Sequence, residues 1–295
     1  MTMTQHDNLN YAEDPFVPEL LPTPAPAASG IVHVEKGHLW YFDTGGEGEA
    51  IVLLHPAAGS GLVWGYQQPV FAKAGYRVIG YSRRGYCGSS ALDESDPGSA
   101  VDDMQALLDA LGVGRFHLLG VAAGGWVAAD YALACPEQIL TLTVAGNPLG
   151  QNRGTIAELQ RSVRPRAWDA LPPWFRELSP GYCAANPVGV QKWVELNALS
   201  LVNPEHHKDL MRTIQRQKAQ DGIGPDSLAR LKMPVLLLGG AADVYSPPST
   251  IRMTARLVPH CEWMIASEAG HSLYWERPEL FNRVVLDFLG RNKTR

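Results

Sequence analysis

Three stretches of the chain carry the residue types that could do chemistry. Asp243 closes 239-GGAAD-243, and His271 stands in 269-AGHS-272. A carboxylate and an imidazole can each take up or release a proton, which makes both candidates for acid–base chemistry. The third stretch is Gly120-Val121-Ala122-Ala123-Gly124, set between a short apolar run and a helical pattern. A strand-to-helix turn bracketed by glycines aims its central side chain at the open edge of a sheet, where the helix N-terminus adds a positive field. The side chain so displayed is the methyl group of Ala122, which cannot attack a carbonyl. Acid–base chemistry is therefore legible at once, and covalent chemistry through position 122 is excluded as written.

These residues need a scaffold that brings them together, and the chain has the rhythm of one. Ile31–Glu35 and His38–Asp43 alternate like a hairpin, with Lys36-Gly37 as the turn. Short apolar runs at Ile51–Leu54, Arg77–Tyr81, Phe116–Leu119, Leu140–Val144, Val235–Leu238 and Glu262–Ile265 read as strands. Ala100–Leu111 has helical spacing, and further helices are expected over Gly124–Ala134, Pro248–Leu257 and Pro278–Leu289. Short apolar strands separated by helices predict an α/β fold with a mainly parallel sheet covered on both faces.

Two segments break the rhythm. Residues 1–30 are polar and then rich in proline and alanine, which predicts an extended N-terminal arm with little to bury. Such an arm can also pack on a second copy, so a homodimer is kept as an expectation. Residues 148–228 hold prolines, Trp168, Trp174, Trp193 and helical stretches, including Pro187–Leu201 and Pro204–Lys218. An insertion there reads as a helical cap over the carboxyl ends of the strands, where ligands bind in open α/β sheets. The core then comprises residues 31–147 and 229–295.

Composition narrows the classes. The chain has 295 residues, 45% of them hydrophobic and 19% charged, enough for one large soluble domain. A formal charge of −5 with no basic stripe argues against nucleic acid. Cys87, Cys135, Cys183 and Cys261 are far apart with no CxxC pair, which suits free thiols in a reducing compartment. No signal-peptide pattern opens the chain, and no run approaches about 18 apolar residues, so cytoplasm without a membrane span is the expectation.

Taken together, the turn, the His55-Pro56-Ala57-Ala58-Gly59-Ser60 loop after an earlier strand, Asp243, and the ending 270-GHSLYWERPELFNRVVLDFL-289 resemble the α/β-hydrolase superfamily over roughly residues 31–290. The order elbow, acid, histidine is that of its triad, and 83-RRGYCGSS-90 resembles its RGxGxS loop. The likeness is to the branch with a helical cap: meta-cleavage product carbon–carbon hydrolases, enol-lactonases, haloperoxidase-like esterases and epoxide hydrolases. It implies an eight-stranded, mostly parallel sheet with helices on both faces. It further implies that Asp243 orients His271, that the amides of Ala57 and Ala123 form an oxyanion hole, and that Ala122 occupies the nucleophile position. Pro56 departs from the usual glycine after the histidine. The implied substrate is a small apolar carbonyl compound, an ester, lactone or diketone-like carbon–carbon substrate, and no metal or organic cofactor is implied.

Each assignment has a plainer rival. His271 could be a core histidine, Asp243 a turn or helix-cap residue, and Arg83 and Arg84 makers of structural ion pairs. His55, Trp126, Trp168, Trp174 and Trp193 are candidate pocket residues, although His55 more often supports loop backbone and the tryptophans suit ordinary packing. His206-His207 reads as a solvated helix face without metal-ligand spacing. Deleting a serine nucleophile typically costs about 10⁶ in turnover, roughly 8 kcal/mol of barrier. The reading adopted is a serine-to-alanine knock-out of a hydrolase, since restoring serine gives a conventional Gly-Val-Ser-Ala-Gly-Gly. The alternatives are a natural serine-less lyase, cofactor-free oxygenase or hydratase driven by His271 and Asp243, and a ligand-binding module. Ser60, Ser82, Cys87 and Ser272 are substitute nucleophiles to weigh, Cys87 first.

Overall fold

The computed structural model describes residues 19–93, 95–151, 154–202 and 222–293. Among them, eight strands form one sheet in the order β1-β2-β4-β3-β5-β6-β7-β8. The hairpin β1 (Ala28–Val34) and β2 (Gly37–Asp43) is antiparallel, and β2 meets β4 (Arg77–Tyr81) antiparallel. From there β3 (Ala50–Leu54), β5 (Phe116–Val121), β6 (Ile139–Ala145), β7 (Val235–Gly240) and β8 (Cys261–Ala266) run parallel. Strands β3, β5, β6 and β7 are buried along their whole length. That is why their sequences are continuous apolar runs without alternation.

Two apolar layers sandwich the sheet. Helices α2 (Ala100–Ala110) and α3 (Ala123–Ala134) cover one face, joined by Ile251 of α9 (Pro248–Ala255). On the other face lie α1 (Gln68–Lys73) and α11 (Pro278–Arg291), the latter through Phe281, Val284, Val285 and Phe288. The expected fold class is thus the observed one.

Some boundaries differ from expectation. The hairpin turn is Glu35-Lys36, one residue earlier than Lys36-Gly37, with Lys36 at φ 57. β1 starts at Ala28, inside the segment read as an arm. Residues 19–27 form neither helix nor strand and are tied to their own chain. Gln68 holds the backbone N–H and carbonyl of Ala25 (2.9 and 2.8 Å), while the Tyr66 hydroxyl donates to the Glu19 carbonyl at 2.8 Å. The rest of the arm, Pro204–Lys218 and His206-His207 lie outside the described residues.

Between β6 and β7 the chain builds α4 (Gly154–Ser162), α5 (Pro173–Glu177), α6 (Pro180–Ala185), α7 (Pro187–Ala198) and α8 (Pro225–Leu228). Helix α7 ends three residues before the expected Leu201, because Leu201 instead makes an antiparallel bridge to Tyr86. This insert is fastened to loops at the carboxyl ends of the strands. Asn197 donates to the Ala58 carbonyl (2.6 Å), the Cys87 amide to Ser200 (2.8 Å), and the Ser272 amide to Glu177 (3.0 Å). Among the described residues no helix is long and apolar enough to cross a membrane.

Candidate active site

The sheet order places the site. β3 leads to β4 on one side, while its other neighbour, β5, continues the sheet in the opposite direction. Such a reversal opens a crevice beyond the strand ends. Leu54 of β3 pairs with Gly120 of β5, so the loop carrying Ala57 and the turn carrying Ala122 leave the sheet side by side. Ala57 is exposed in its turn. Ala123 opens α3, so its amide is among the helix N-terminal N–H groups that have no carbonyl partner inside the helix.

The turn itself is tightly specified. A β-carbon on Gly120 would lie 2.6 Å from the Gly124 carbonyl oxygen, and one on Gly124 would lie 2.1 Å from that of Leu54. Ala122 has φ 50 and ψ −113, a conformation that L-residues rarely adopt. The turn is held there by the Ala122 amide donating to Ala145, the Gly125 amide donating to Ala122 (both 2.9 Å), and Asn147 Nδ2 donating to the Ala122 carbonyl at 2.8 Å. The backbone is therefore held in a strained display geometry, and the group displayed is a methyl.

Asp243 and His271 meet because β7 and β8 are parallel neighbours whose following loops are zipped together. The Ala241 amide donates to Ala266 and the Ala242 amide to Ala269, each at 2.9 Å. A β-carbon on Gly240 would lie 2.2 Å from both the Ala269 and Gly270 carbonyl oxygens, which accounts for the glycine at 240 ahead of the acid. His271 Nδ1 donates to Asp243 Oδ2 at 2.8 Å. Asp243 Oδ1 accepts the amides of Tyr245 (2.8 Å) and Ser246 (2.9 Å). Asp243 is thus both the turn residue of the plainer reading and the partner of the imidazole. Burial alone would lower the His271 pKa, yet the negative charges of Asp243 and Glu177 raise it to about 9.

Several contributors to this site carried no sequence signal that singled them out. The Tyr245 ring lies 4.6 Å from the His271 ring, and Trp168 packs edge-on against Tyr245 at 5.2 Å. Gly146, at φ 62, leaves room for the imidazole: a β-carbon there would come within 3.2 Å of Nδ1. Glu177 arrives from the insert, accepts the Ser272 hydroxyl at 3.3 Å, and has its carboxyl pushed up by burial. Tyr245 could have been suspected from its place two residues after Asp243. Glu177 could not, since the insert lacks a period that reports on direction.

The remaining candidates have varied surroundings. His55 is buried, donates from Nδ1 to the Pro56 carbonyl (2.7 Å) and accepts the Arg83 amide at Nε2 (3.1 Å), so it supports loop backbone. Trp168 is brought towards His271 through Tyr245. Trp126 is half-buried in the first turn of α3, and Trp174 is half-buried on α5. Trp193 is buried in the layer that also holds Ala122, Leu178 and Tyr182. The hydroxyl of Ser60 accepts the Leu62 amide, and that of Ser82 accepts the Gly61 amide. Cys87 is a half-buried free thiol, as are Cys135, Cys183 and Cys261. Among the described residues no group of His, Cys, Asp or Glu is placed to hold a metal ion.

Comparison with known proteins agrees with this fold. Residues 51–284 match the family described as "Alpha/beta hydrolase family". The chain is 29% identical to a 2-hydroxy-6-oxononadienedioate/2-hydroxy-6-oxononatrienedioate hydrolase of Burkholderia vietnamiensis, over 85% of this chain and 90% of that one. A 2-hydroxy-6-oxo-6-phenylhexa-2,4-dienoate hydrolase of Comamonas testosteroni is 26% identical, over 85% and 91%. Among solved structures, a thermophilic esterase from Thermogutta terrifontis superposes with a TM-score of 0.74 at 22% identity, covering 92% of this chain and 100% of that one. The enol-lactonase from Burkholderia xenovorans LB400 gives 0.70 at 21%, covering 88% and 100%. The chain belongs to the alpha/beta hydrolase family and is an enzyme of that family.

Proposed function

We propose that this scaffold hydrolyses a small apolar carbonyl compound, an ester, a lactone or the carbon–carbon bond of a diketone-like substrate, and that Ala122 stands where its nucleophilic hydroxyl belongs. The observation that carries this reading is the pairing of a strained turn at Ala122 with the 2.8 Å bond between His271 and Asp243. Strain of about 1–3 kcal/mol is retained where a side chain must be displayed, and a methyl has no use for display. With a serine at 122, His271 would take the hydroxyl proton during attack and return it to the leaving group. Asp243 would stabilise the imidazolium between those steps. The amides of Ala57 and Ala123 would hold the oxyanion. The insert acts as the cap, with Trp168 and Trp174 as apolar wall candidates, and nothing in this chemistry requires a cofactor. As written, the chain binds substrate and turns it over only at the residual rate that binding and oxyanion stabilisation leave. The named activities of the carbon–carbon hydrolase relatives support the diketone-like end of this range.

A second reading is favoured by Ala122 itself. His271 with Asp243 could take a proton from bound substrate while the two amides hold an enolate or alkoxide, as a lyase, cofactor-free oxygenase or hydratase would require. A fluorophosphonate probe separates the two. Under the hydrolase reading, Ala122→Ser is phosphonylated once per chain at position 122, slowly or not at all after His271→Ala, and the unsubstituted chain is not labelled. An Ala122→Ser protein that folds but resists labelling would favour the second reading.

A further inference from the structure

We infer that Glu276 is a positioning residue for His271, its carboxylate tying the inserted helices and the histidine loop into one arrangement. The inference rests on His271 being the acid–base residue of the proposed function. Glu276 closes α10 (Leu273–Glu276) and is only 2% exposed. Its Oε1 accepts the Gly270 amide and its Oε2 the Ser179 amide, both at 2.9 Å. Gly270 directly precedes His271, and Ser179 caps α6 in the insert. One carboxylate therefore bridges the two segments backbone to backbone.

The junction has no slack. A β-carbon on Gly270 would lie 2.7 Å from the Ser179 nitrogen, 2.9 Å from Glu276 Oε1 and 3.0 Å from the Glu177 carbonyl oxygen. On the other side of His271, the Ser272 amide donates to the Glu177 carbonyl at 3.0 Å and the Ser272 hydroxyl to its carboxylate at 3.3 Å. The histidine is thus gripped before and after by groups that belong to the insert or bind it. Two amide donors need two acceptor oxygens, which a carboxylate supplies and a carboxamide does not. Burial pushes the Glu276 carboxyl up to about 7, so an acid is kept here against a substantial desolvation cost. The charged groups facing His271 are Asp243, Glu177 and Arg164; those facing Glu276 include Asp243, with Tyr182, Cys183 and Tyr274 close by.

The test uses Glu276→Gln, in the full chain and again in the Ala122→Ser background. Its primary readout is the NMR titration of the His271 ring, which needs no turnover. The expected result is a midpoint lowered by about half a unit or more, since the ring is less firmly held against Asp243. With Ala122→Ser, kcat is expected to fall roughly tenfold to a hundredfold while KM changes less than about threefold, the pattern of a misplaced catalytic group. Glu276→Asp should recover part of the loss. Ser179→Pro is the second variant: φ −67 suits proline, the amide donor and cap hydroxyl are lost, and the ring Cδ is set against Oε2, so the bridge is broken from the Ser179 side. It should lower kcat in the same direction with the Glu276 carboxylate intact. If Glu276→Gln lowers only the unfolding temperature and leaves the His271 midpoint and kcat unchanged, the inference is overturned. If Ala122→Ser never hydrolyses anything, the hydrolase reading fails on its own, and the titration still decides the role of Glu276.

Discussion

Gly124 faces the Leu54 carbonyl so closely that a β-carbon on it would lie 2.1 Å from the oxygen. This contact seats the start of α3 at the carboxyl ends of β3 and β5 and thereby places the turn at Ala122. Gly124→Ala should cost about 3 kcal/mol or more, since backbone must move to relieve the overlap. Gly114→Ala, with open space around it and an ordinary φ, should be neutral or slightly stabilising. Urea denaturation of the two variants measures the contrast, and equal effects would contradict the packing described.

Ala122 should be replaceable by glycine with a gain. Strain of about 1–3 kcal/mol at φ 50 disappears in glycine, against an entropic loss of about 0.5–1 kcal/mol. The unfolding midpoint of Ala122→Gly is expected to rise by the equivalent of about 1 kcal/mol. A fall would mean that the turn is relaxed with alanine in place.

Stability should decline as pH rises from mildly acid to alkaline. Burial would lower the His271 pKa, but Asp243 and Glu177 raise it to about 9, above the ordinary 6.5. The folded state therefore holds this proton more tightly, and the contribution is complete below about 6.5 and lost towards about 9. Burial raises Glu276 from 4.5 to about 7, so the folded state again binds more protons and stability falls between those values. Each window is worth on the order of 3 kcal/mol. Asp243→Asn should flatten the upper window and Glu276→Gln the lower, as read from urea midpoints against pH. A flat profile in the parent would contradict both assignments.

Arg84 and Asp103 form a buried pair, with Nε and Nη2 of the arginine each 2.7 Å from a carboxylate oxygen. Arg84 also donates to the Glu35 carbonyl at 2.5 Å, so it joins the β1–β2 turn, its own loop and α2. Asp103→Ala should cost about 3–5 kcal/mol by leaving the guanidinium buried and uncompensated. A loss below about 1 kcal/mol would show the pair to be dispensable.

Much of this was legible in the sequence because the relevant signals are local. The buried strands announce themselves as apolar runs, the glycines at 120 and 124 mark close approach, and Asp243 and His271 each follow a strand. What could not be read is what depends on one loop lying against another. Glu177 and Tyr245 reach His271 only because the insert and the loop after β7 fold over it, and no periodicity encodes that direction. Leu201 leaves the helical pattern for the same reason, since its bridge to Tyr86 is a long-range pairing. Glu276 was visible within GHSLYWERP, but its two acceptors find their donors only in the folded chain.

The central claim is that the scaffold is built around a hydroxyl at position 122. The direct measurement is kcat/KM of Ala122→Ser against the unsubstituted chain, on a panel of aryl esters, lactones and vinylogous diketones. The account predicts a rise of about 10⁴ or more on at least one class, abolished again by His271→Ala. No rise on any class, with the unsubstituted chain showing turnover that depends on His271, would contradict it and make Ala122 the working residue of a serine-less enzyme.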